Sequence, residues 1–203
     1  GRSTFLATSN ASRRRALKSC TCVCPFRSFH ASPARPTPAQ SIREAKALGA
    51  TYRCGPELEV CGYGCEDHYF EEDTILHCWQ SLASILSGDL TAGILCDIGM
   101  PILHRNVRYN CRVFVLDSKL LLVRPKTCCC DDGNYRETRW FTEWAESRGM
   151  EDFVIPGLIA SITGQTSCAI GLGAISVADT VVGCETCTEI TSRRQHPRRA
   201  SHS

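Results

Sequence analysis

The chain has 203 residues, of which 43% are hydrophobic, enough to fill one ordinary core, and this argues against wholesale disorder. The net charge of +2 is unevenly distributed: residues 1–40 carry seven basic and no acidic residues, and residues 193–203 carry four basic and none acidic. The segment between them holds 12 basic against 21 acidic residues, a net charge of −9, which does not favour a nucleic-acid partner. The longest apolar stretch, residues 168–177, is shorter than the roughly 20 residues of a membrane-spanning helix, so we predict no membrane span.

The chain contains 15 cysteines, a number that first suggests a disulfide scaffold or zinc sites. The count is odd, however, and residues 128–130 are three adjacent cysteines, which bridge poorly to one another. Only Cys184 and Cys187 have the C-x₂-C spacing of a zinc-ligand pair, and no second pair follows them. We therefore predict packing thiols in a reduced, cytoplasmic protein, with a cysteine-rich zinc protein as the alternative.

Composition divides the chain into three segments. Residues 1–40 are rich in Ser, Ala, Arg and Pro and show no helical or strand period, so we interpret them as a basic tail, with mitochondrial targeting as a lesser interpretation. We assign residues 41–190 to the folded body and residues 191–203 to a second basic tail. The body begins with a predicted short helix, indicated by apolar residues at helical spacing before a glycine, namely Ile42, Ala45, Leu48 and Gly49.

The body has the pattern of an α/β fold with more than one layer. A strand at residues 51–54 ends at Gly55 and Pro56, which leaves Glu57 at the strand end. Asp73 is predicted to cap a helix that runs to Leu86. Further strands are predicted at residues 94–100, 109–116, 120–124, 174–177 and 180–185, and residues 117–119 join two of them as a hairpin.

Three residues that could form a reactive site share one context, because Glu57, Lys126 and Cys187 each follow an apolar strand. A lysine ammonium would stabilise a thiolate and a developing oxyanion, while a carboxylate would carry the proton, which is the chemistry of acyl transfer. Spacing alone leaves other interpretations open. Glu59 could be the base, and Glu57 could be a solvated loop carboxylate. Lys126 could cap the end of a strand, and Cys187 could be a packed thiol. Cys187 could also pair with Cys184 in a redox couple.

The sequence around these residues resembles a known family. The segments that carry the likeness are GPELEVCGYGCED (55–67), HRNVRYN (104–110), RPK (124–126), GNYRE (133–137) and GCETCTE (183–189). Together they resemble the nitrilase-like amidase domain of the eukaryotic glutamine-dependent NAD⁺ synthetase family. The resemblance covers residues 41–190 and is nearly continuous from residue 52 to residue 142.

The resemblance implies part of a four-layer αββα sandwich, the nitrilase-like carbon–nitrogen hydrolase fold, and a glutaminase that releases glutamate and ammonia through a cysteine thioester. Glu57 would then be the general base and proton shuttle, Lys126 the electrostatic stabiliser and Cys187 the nucleophile. Around them, the backbone N–H of Thr188 would join Lys126 as an oxyanion donor, Tyr135 would line the glutamine pocket and Glu137 would hold the lysine.

The resemblance also implies partners for the chain. The glutaminase step would need no cofactor and no metal, and glutamine would be its substrate. In the full enzyme, the ammonia would reach a synthetase domain that uses ATP and Mg²⁺ to amidate deamido-NAD⁺, and we expect that domain to be absent from this chain. Family members assemble into homo-oligomers.

Two departures from the family lead to a further expectation. The basic tail of residues 1–40 replaces an apolar strand and helix, and the chain diverges after residue 190 and ends 16 residues beyond Cys187. We therefore expect an incomplete sandwich, as in an incomplete or misassembled gene product. The alternatives are a catalytically inactive fragment and another carbon–nitrogen hydrolase of the amidase or nitrilase type.

Overall fold

A six-stranded mixed sheet organises the chain in a computed structural model that describes residues 37–177 and 180–190. The strands are β1 (Tyr52–Cys54), β2 (Leu95–His104), β3 (Val107–Leu116), β4 (Lys119–Pro125), β5 (Glu151–Val154) and β6 (Ser167–Ile170). In space they follow the order β1-β2-β3-β4-β6-β5. A separate two-stranded sheet pairs β7 (Ile175–Val177) with β8 (Thr180–Val182), and the helices are α1 (Pro38–Ala47), α2 (Glu72–Leu86) and α3 (Gly157–Thr163).

The strand directions bring several carboxyl ends to one side of the sheet. β1 runs parallel to β2, β2 to β4 form an antiparallel meander, and β6 runs parallel to β4, so β1, β2, β4 and β6 share one direction. The predicted hairpin between β3 and β4 is confirmed: Asp117 and Ser118 have φ angles of 50° and 55°, the left-handed backbone of a tight two-residue turn. Because β1 and β4 run in the same direction, the segments that follow them leave the same end of the sheet.

The two faces of the sheet differ in character because side chains alternate along each strand. One face carries apolar side chains of β2 and β3, such as Ile98, Met100 and Val113, and all three helices pack on it to form the main core. The other face carries a smaller apolar cluster that β7 and β8 cover. Helices, main sheet and small sheet thus form three successive layers of the predicted sandwich.

Most predicted elements are confirmed, and two details are corrected. Asp73 does not cap α2: Glu71 occupies the N-cap position, and Asp73 lies in the first turn, where its charge favours the positive end of the helix dipole. The last strand ends at Val182 and does not reach residue 185. The sequence analysis did not anticipate β5, α3 and β6, which are only four, seven and four residues long. Within the described residues, no helix combines the length and apolarity that crossing a membrane requires.

Candidate active site

The loop that carries Glu57 lies directly on strand β2. Gly55 N–H donates to Asp97 O at 2.8 Å, and Val60 N–H donates to Gly99 O at 3.1 Å. A Cβ atom on Gly99 would lie 2.4 Å from Pro56 O and 2.6 Å from the Leu58 backbone nitrogen, closer than real atoms approach. Glycine at position 99 therefore allows the loop to cross the sheet and hold Glu57 above it.

Lys126 lies between two carboxylates. Its backbone N–H donates to Asn110 O at 2.8 Å, which continues the pairing of β3 and β4. Its Nζ lies 2.7 Å from Glu57 Oε1 and 2.7 Å from Glu137 Oε2. The side chains of Lys126 and Glu137 are 2% and 1% exposed, whereas that of Glu57 is 15% exposed. Of the two carboxylates, Glu57 is thus the one with surface open to a substrate.

Two further donors hold these carboxylates in place. Asn110 Nδ2 donates to Oε1 of both Glu57 and Glu137 at 2.6 Å, and the Cys130 backbone N–H donates to Glu137 Oε2 at 2.7 Å. The buried Glu137 is therefore satisfied by an ammonium, an amide and a backbone donor. This agrees with the predicted role of Glu137 in holding the lysine.

The electrostatics of the pair suit proton transfer at Glu57. Burial raises the pKa of Glu57, and the hydrogen bond and charge of Lys126 offset only part of that rise. Burial acts to lower the pKa of Lys126, but the hydrogen bonds and charges of Glu137 and Glu57 outweigh it and keep the ammonium charged. A raised pKa brings a carboxylate closer to the range in which it exchanges protons near neutral pH, and the role of Glu57 as general base stays a prediction.

Cys187 lies in a tight turn after β8 and has an exposed side chain. Its φ angle is 51°, a left-handed backbone that is rare outside glycine, and Glu189 N–H and Ile190 N–H close the turn on Thr186 O and Cys187 O at 3.1 Å each. Burial raises the pKa of the Cys187 thiol; Lys126 and the Thr188 backbone N–H act against the rise, and Glu57 adds to it.

Hydrogen bonds dock this turn onto the segment that follows Lys126. Thr188 Oγ1 donates to Cys128 O at 2.6 Å, and the backbone N–H of Thr127 donates to Glu189 Oε1 at 2.6 Å. These contacts join two segments about 60 residues apart in sequence. The turn that carries the predicted nucleophile is thus fastened to the segment that directly follows the predicted lysine.

Two tyrosines of the family-like segments pack against each other. The Tyr135 ring, half exposed, packs edge-on against Tyr63 with 5.9 Å between ring centroids. Within the described residues, Tyr63 Oη is buried and has no hydrogen-bond partner. Burial raises the pKa of Tyr63, and the negative charges of Glu57, Glu137 and Cys187 raise it further, so this hydroxyl stays protonated at neutral pH.

Comparison with known families assigns the chain. Residues 22–196 match the carbon–nitrogen hydrolase family. The chain belongs to the carbon–nitrogen hydrolases. The predicted nitrilase-like fold and the resemblance to glutamine-dependent NAD⁺ synthetases are thereby confirmed.

Known relatives of this carbon–nitrogen hydrolase are larger proteins. The chain is 57% identical over 152 residues to the glutamine-dependent NAD(+) synthetase of Dictyostelium discoideum. The alignment covers 74% of this chain and 21% of that protein. The chain is 52% identical over 158 residues to the Mus musculus protein of the same name, in an alignment that covers 77% of this chain and 22% of that protein. The crystal structure of a glutamine-dependent NAD(+) synthetase from Cytophaga hutchinsonii shares the fold, with a TM-score of 0.66, 24% identity and coverage of 77% of this chain and 25% of that chain. The chain spans about a fifth of the length of the curated relatives it matches.

The structure of this carbon–nitrogen hydrolase also bears on the other roles considered for Glu59 and for Cys184, and on a metal site. Glu59 forms a buried ion pair with Arg53, so it is Glu57 that contacts Lys126. Burial raises the pKa of Cys184 to about 11, and this half-buried residue packs against the smaller apolar cluster under β7 and β8. Among residues 37–177 and 180–190, no group of three or more His, Cys, Asp or Glu side chains could hold a metal ion.

Sequence reasoning missed Asn110, Tyr63 and Glu189 as members of the site. Asn110 and Tyr63 lie within the family-like segments, and Glu189 is two residues beyond Cys187, but none of them follows a strand directly. A further signal was the alternation in β3, which places Asn110 and Arg112 on the face opposite the main core. Buried polar side chains on a sheet face indicate a site.

Proposed function

We propose that this chain hydrolyses the side-chain amide of glutamine, with Cys187 as nucleophile, Glu57 as general base and Lys126 as electrostatic stabiliser. The observation that carries the proposal is the hydrogen-bonded set of Glu57, Lys126 and Glu137, with the Cys187 turn docked beside it. The choice of glutamine rests on the relatives, which share more than half of the aligned residues and are glutamine-dependent NAD(+) synthetases.

In the first step Glu57 accepts the Cys187 thiol proton, and the thiolate attacks the amide carbon. A C–S bond forms, and the carbonyl electron pair moves to oxygen, where Lys126 and the Thr188 backbone N–H stabilise the negative charge. Glu57 then gives its proton to the amide nitrogen, the C–N bond breaks, and ammonia leaves. Loss of one such oxyanion donor typically lowers the rate by about 10²–10³.

In the second step water hydrolyses the thioester. Glu57 accepts a proton from the water, whose oxygen attacks the acyl carbon, and the C–S bond breaks with release of glutamate. The proton held by Glu57 returns to the Cys187 sulfur. In this proposal the reacting groups are water, three side chains and one backbone N–H of this chain, while Tyr135 and the Tyr63 hydroxyl line the pocket and orient glutamine.

The ammonia would serve a second reaction in the full enzyme. Its synthetase domain would use ATP and Mg²⁺ to convert deamido-NAD⁺ to NAD⁺, and we propose that domain as the partner of the present chain, in a cytoplasmic homo-oligomer. The greater length of the relatives supports the partner domain, since the chain spans only about a fifth of each relative.

The test is ammonia release from glutamine by the purified chain, compared with Cys187→Ala and Cys184→Ala. We expect Cys187→Ala to abolish release and Cys184→Ala to retain it, because Cys184 lies three residues before the reacting cysteine and packs against an apolar cluster. Equal, low release from the unmodified chain and Cys187→Ala would show that this chain is not catalytic. Release from propionamide but not from glutamine would instead indicate an amidase of different specificity.

A further inference from the structure

We infer that Glu189 is a positioning residue that fastens the Cys187 turn to the end of the strand carrying Lys126. Glu189 is 1% exposed and Arg124 is 4% exposed, so they form a buried ion pair on the face of the sheet that holds the site. Neither residue contacts Lys126, Glu57 or Glu137 in the hydrogen bonds described above. The consequence for catalysis rests on the proposed function, whereas the effect on Cys187 itself does not.

The two oxygens of Glu189 bind donors on different segments. Oε1 accepts from the backbone N–H and the Oγ1 of Thr127, both at 2.6 Å. Oε2 accepts from the Thr186 backbone N–H at 2.6 Å. Thr127 follows Lys126 directly, and Thr186 precedes Cys187 directly. One carboxylate therefore connects the immediate neighbours of the predicted cation and the predicted nucleophile.

Arg124 completes the arrangement by neutralising this buried charge. Its Nη1 lies 2.8 Å from Glu189 Oε1 and 2.6 Å from Oε2. A carboxylate is required because both of its oxygens only accept hydrogen bonds. A glutamine at position 189 has one oxygen and one NH₂ group, so it could accept from Thr127 or from Thr186 but would direct donors at the other.

The backbone of Cys187 explains why this fastening matters. A residue at a φ of 51° keeps that conformation only when its surroundings determine it, and Glu189 supplies such a restraint from two residues away. A displacement of about 1 Å between reacting groups can cost about 10² in rate. Loss of the Glu189 contacts would let the turn relax and move the thiol away from Lys126.

The experiment compares Glu189→Gln, Arg124→Met and the double variant in the full chain. The rate constant for alkylation of Cys187 by iodoacetamide, a reagent that needs no glutamine pocket, is measured by peptide mass spectrometry, and stability is measured by urea unfolding. Glu185→Gln is the matched control, because this exposed carboxylate lies two residues before Cys187 as Glu189 lies two residues after it.

We expect Glu189→Gln to slow alkylation at least tenfold and Glu185→Gln to change it less than twofold. Removing both charges should restore much of the stability that either single substitution loses, because no uncompensated buried charge remains. The double variant should nevertheless stay slow, since a glutamine at position 189 still lacks one of the two contacts, either to Thr127 or to Thr186. Recovery of the alkylation rate together with stability would show a merely structural role and overturn the inference.

The same experiment separates this inference from the proposed function. If the unmodified chain released no ammonia but Glu189→Gln still slowed alkylation of Cys187, the positioning role would stand and the glutaminase activity would fail. If alkylation of Cys187 in the unmodified chain were no faster than in Glu189→Gln, the positioning role would be wrong even if ammonia were released.

Discussion

Lys126 Nζ lies 2.7 Å from Glu57 Oε1, although 69 residues separate the two in sequence. The contact follows from topology: Glu57 leaves the carboxyl end of β1, and Lys126 leaves the carboxyl end of β4, which runs in the same direction. Glu137 binds the other side of the ammonium at 2.7 Å. One cation thus holds two carboxylates in a largely buried site, and the consequences can be measured.

Replacing Lys126 by methionine should strongly destabilise the chain. The substitution leaves Glu57 and Glu137 without their ammonium in a buried site, and breaking a buried pair in this way typically costs about 3–5 kcal/mol. Urea unfolding measures the change. Lys46→Met is the matched control, because Lys46 makes a solvent-exposed hydrogen bond to Asp89 O, and its loss should cost under about 1 kcal/mol. Equal losses from the two substitutions would contradict the buried network.

Gly99→Ala should displace the loop that carries Glu57. The new Cβ would meet Pro56 O and the Leu58 backbone nitrogen, neither of which is the flexible end of a side chain, so we expect a loss of about 1–3 kcal/mol in unfolding free energy. Gly88→Ala provides the comparison, since nothing lies within 4 Å of a Cβ at that position. Thermal and urea unfolding of both variants test the prediction, and a neutral Gly99→Ala would show that the loop does not rest on β2.

The pH dependence of Cys187 alkylation should respond in opposite directions to two substitutions. Lys126 lowers and Glu57 raises the pKa of the thiol, whose net pKa lies above the ordinary value because of burial. Lys126→Met should therefore move the midpoint of iodoacetamide alkylation to higher pH, and Glu57→Gln should move it to lower pH. Cys184, whose pKa burial raises to about 11, serves as an internal reference that neither change shifts comparably. Shifts of the same sign would refute the arrangement.

Glu151 should contribute stability that acid removes. Hydrogen bonds from Arg148 and His104 hold the pKa of Glu151 at about 2, below its ordinary 4.5. Because the pKa of Glu151 is lower in the folded than in the unfolded state, the ionised carboxylate stabilises the fold at pH values above its ordinary pKa of 4.5. This contribution is lost as the pH falls through about 2. After allowance for solvent screening, Glu151→Gln should cost about 1–2 kcal/mol at pH 7.

The control for Glu151 is Glu146→Gln, a substitution of an exposed carboxylate in the connection that precedes β5. The difference between Glu151→Gln and the unmodified chain should shrink as urea unfolding is repeated from pH 5 towards pH 2, while the control shows little difference throughout. A difference that is constant over this range would mean that packing, not charge, determines the role of Glu151.

Much of the fold was predictable because it depends on local patterns. Alternating and helical periods indicated β1 to β4 and α2, and Gly55 and Pro56 marked the end of the first strand. The short β5, α3 and β6 lack enough residues for a period to stand out. The predicted N-cap of α2, Asp73, lies two residues after the N-cap in the structure, Glu71. Both residues are acidic, and only the backbone shows where the helix begins.

The residues of the candidate site could be named from the amino-acid sequence, since Glu57, Lys126 and Cys187 follow strands within family-like segments. Their pairing became apparent only in three dimensions: Lys126 contacts Glu57 while Glu59 contacts Arg53, and Asn110 and Glu189 join the site from positions 53 and 62 to 65 residues away from their partners. The physical reason is that strand ends are set by local backbone preferences. Which buried charge meets which donor depends on strand order, register and the faces of the sheet, and these form only when distant segments pack together.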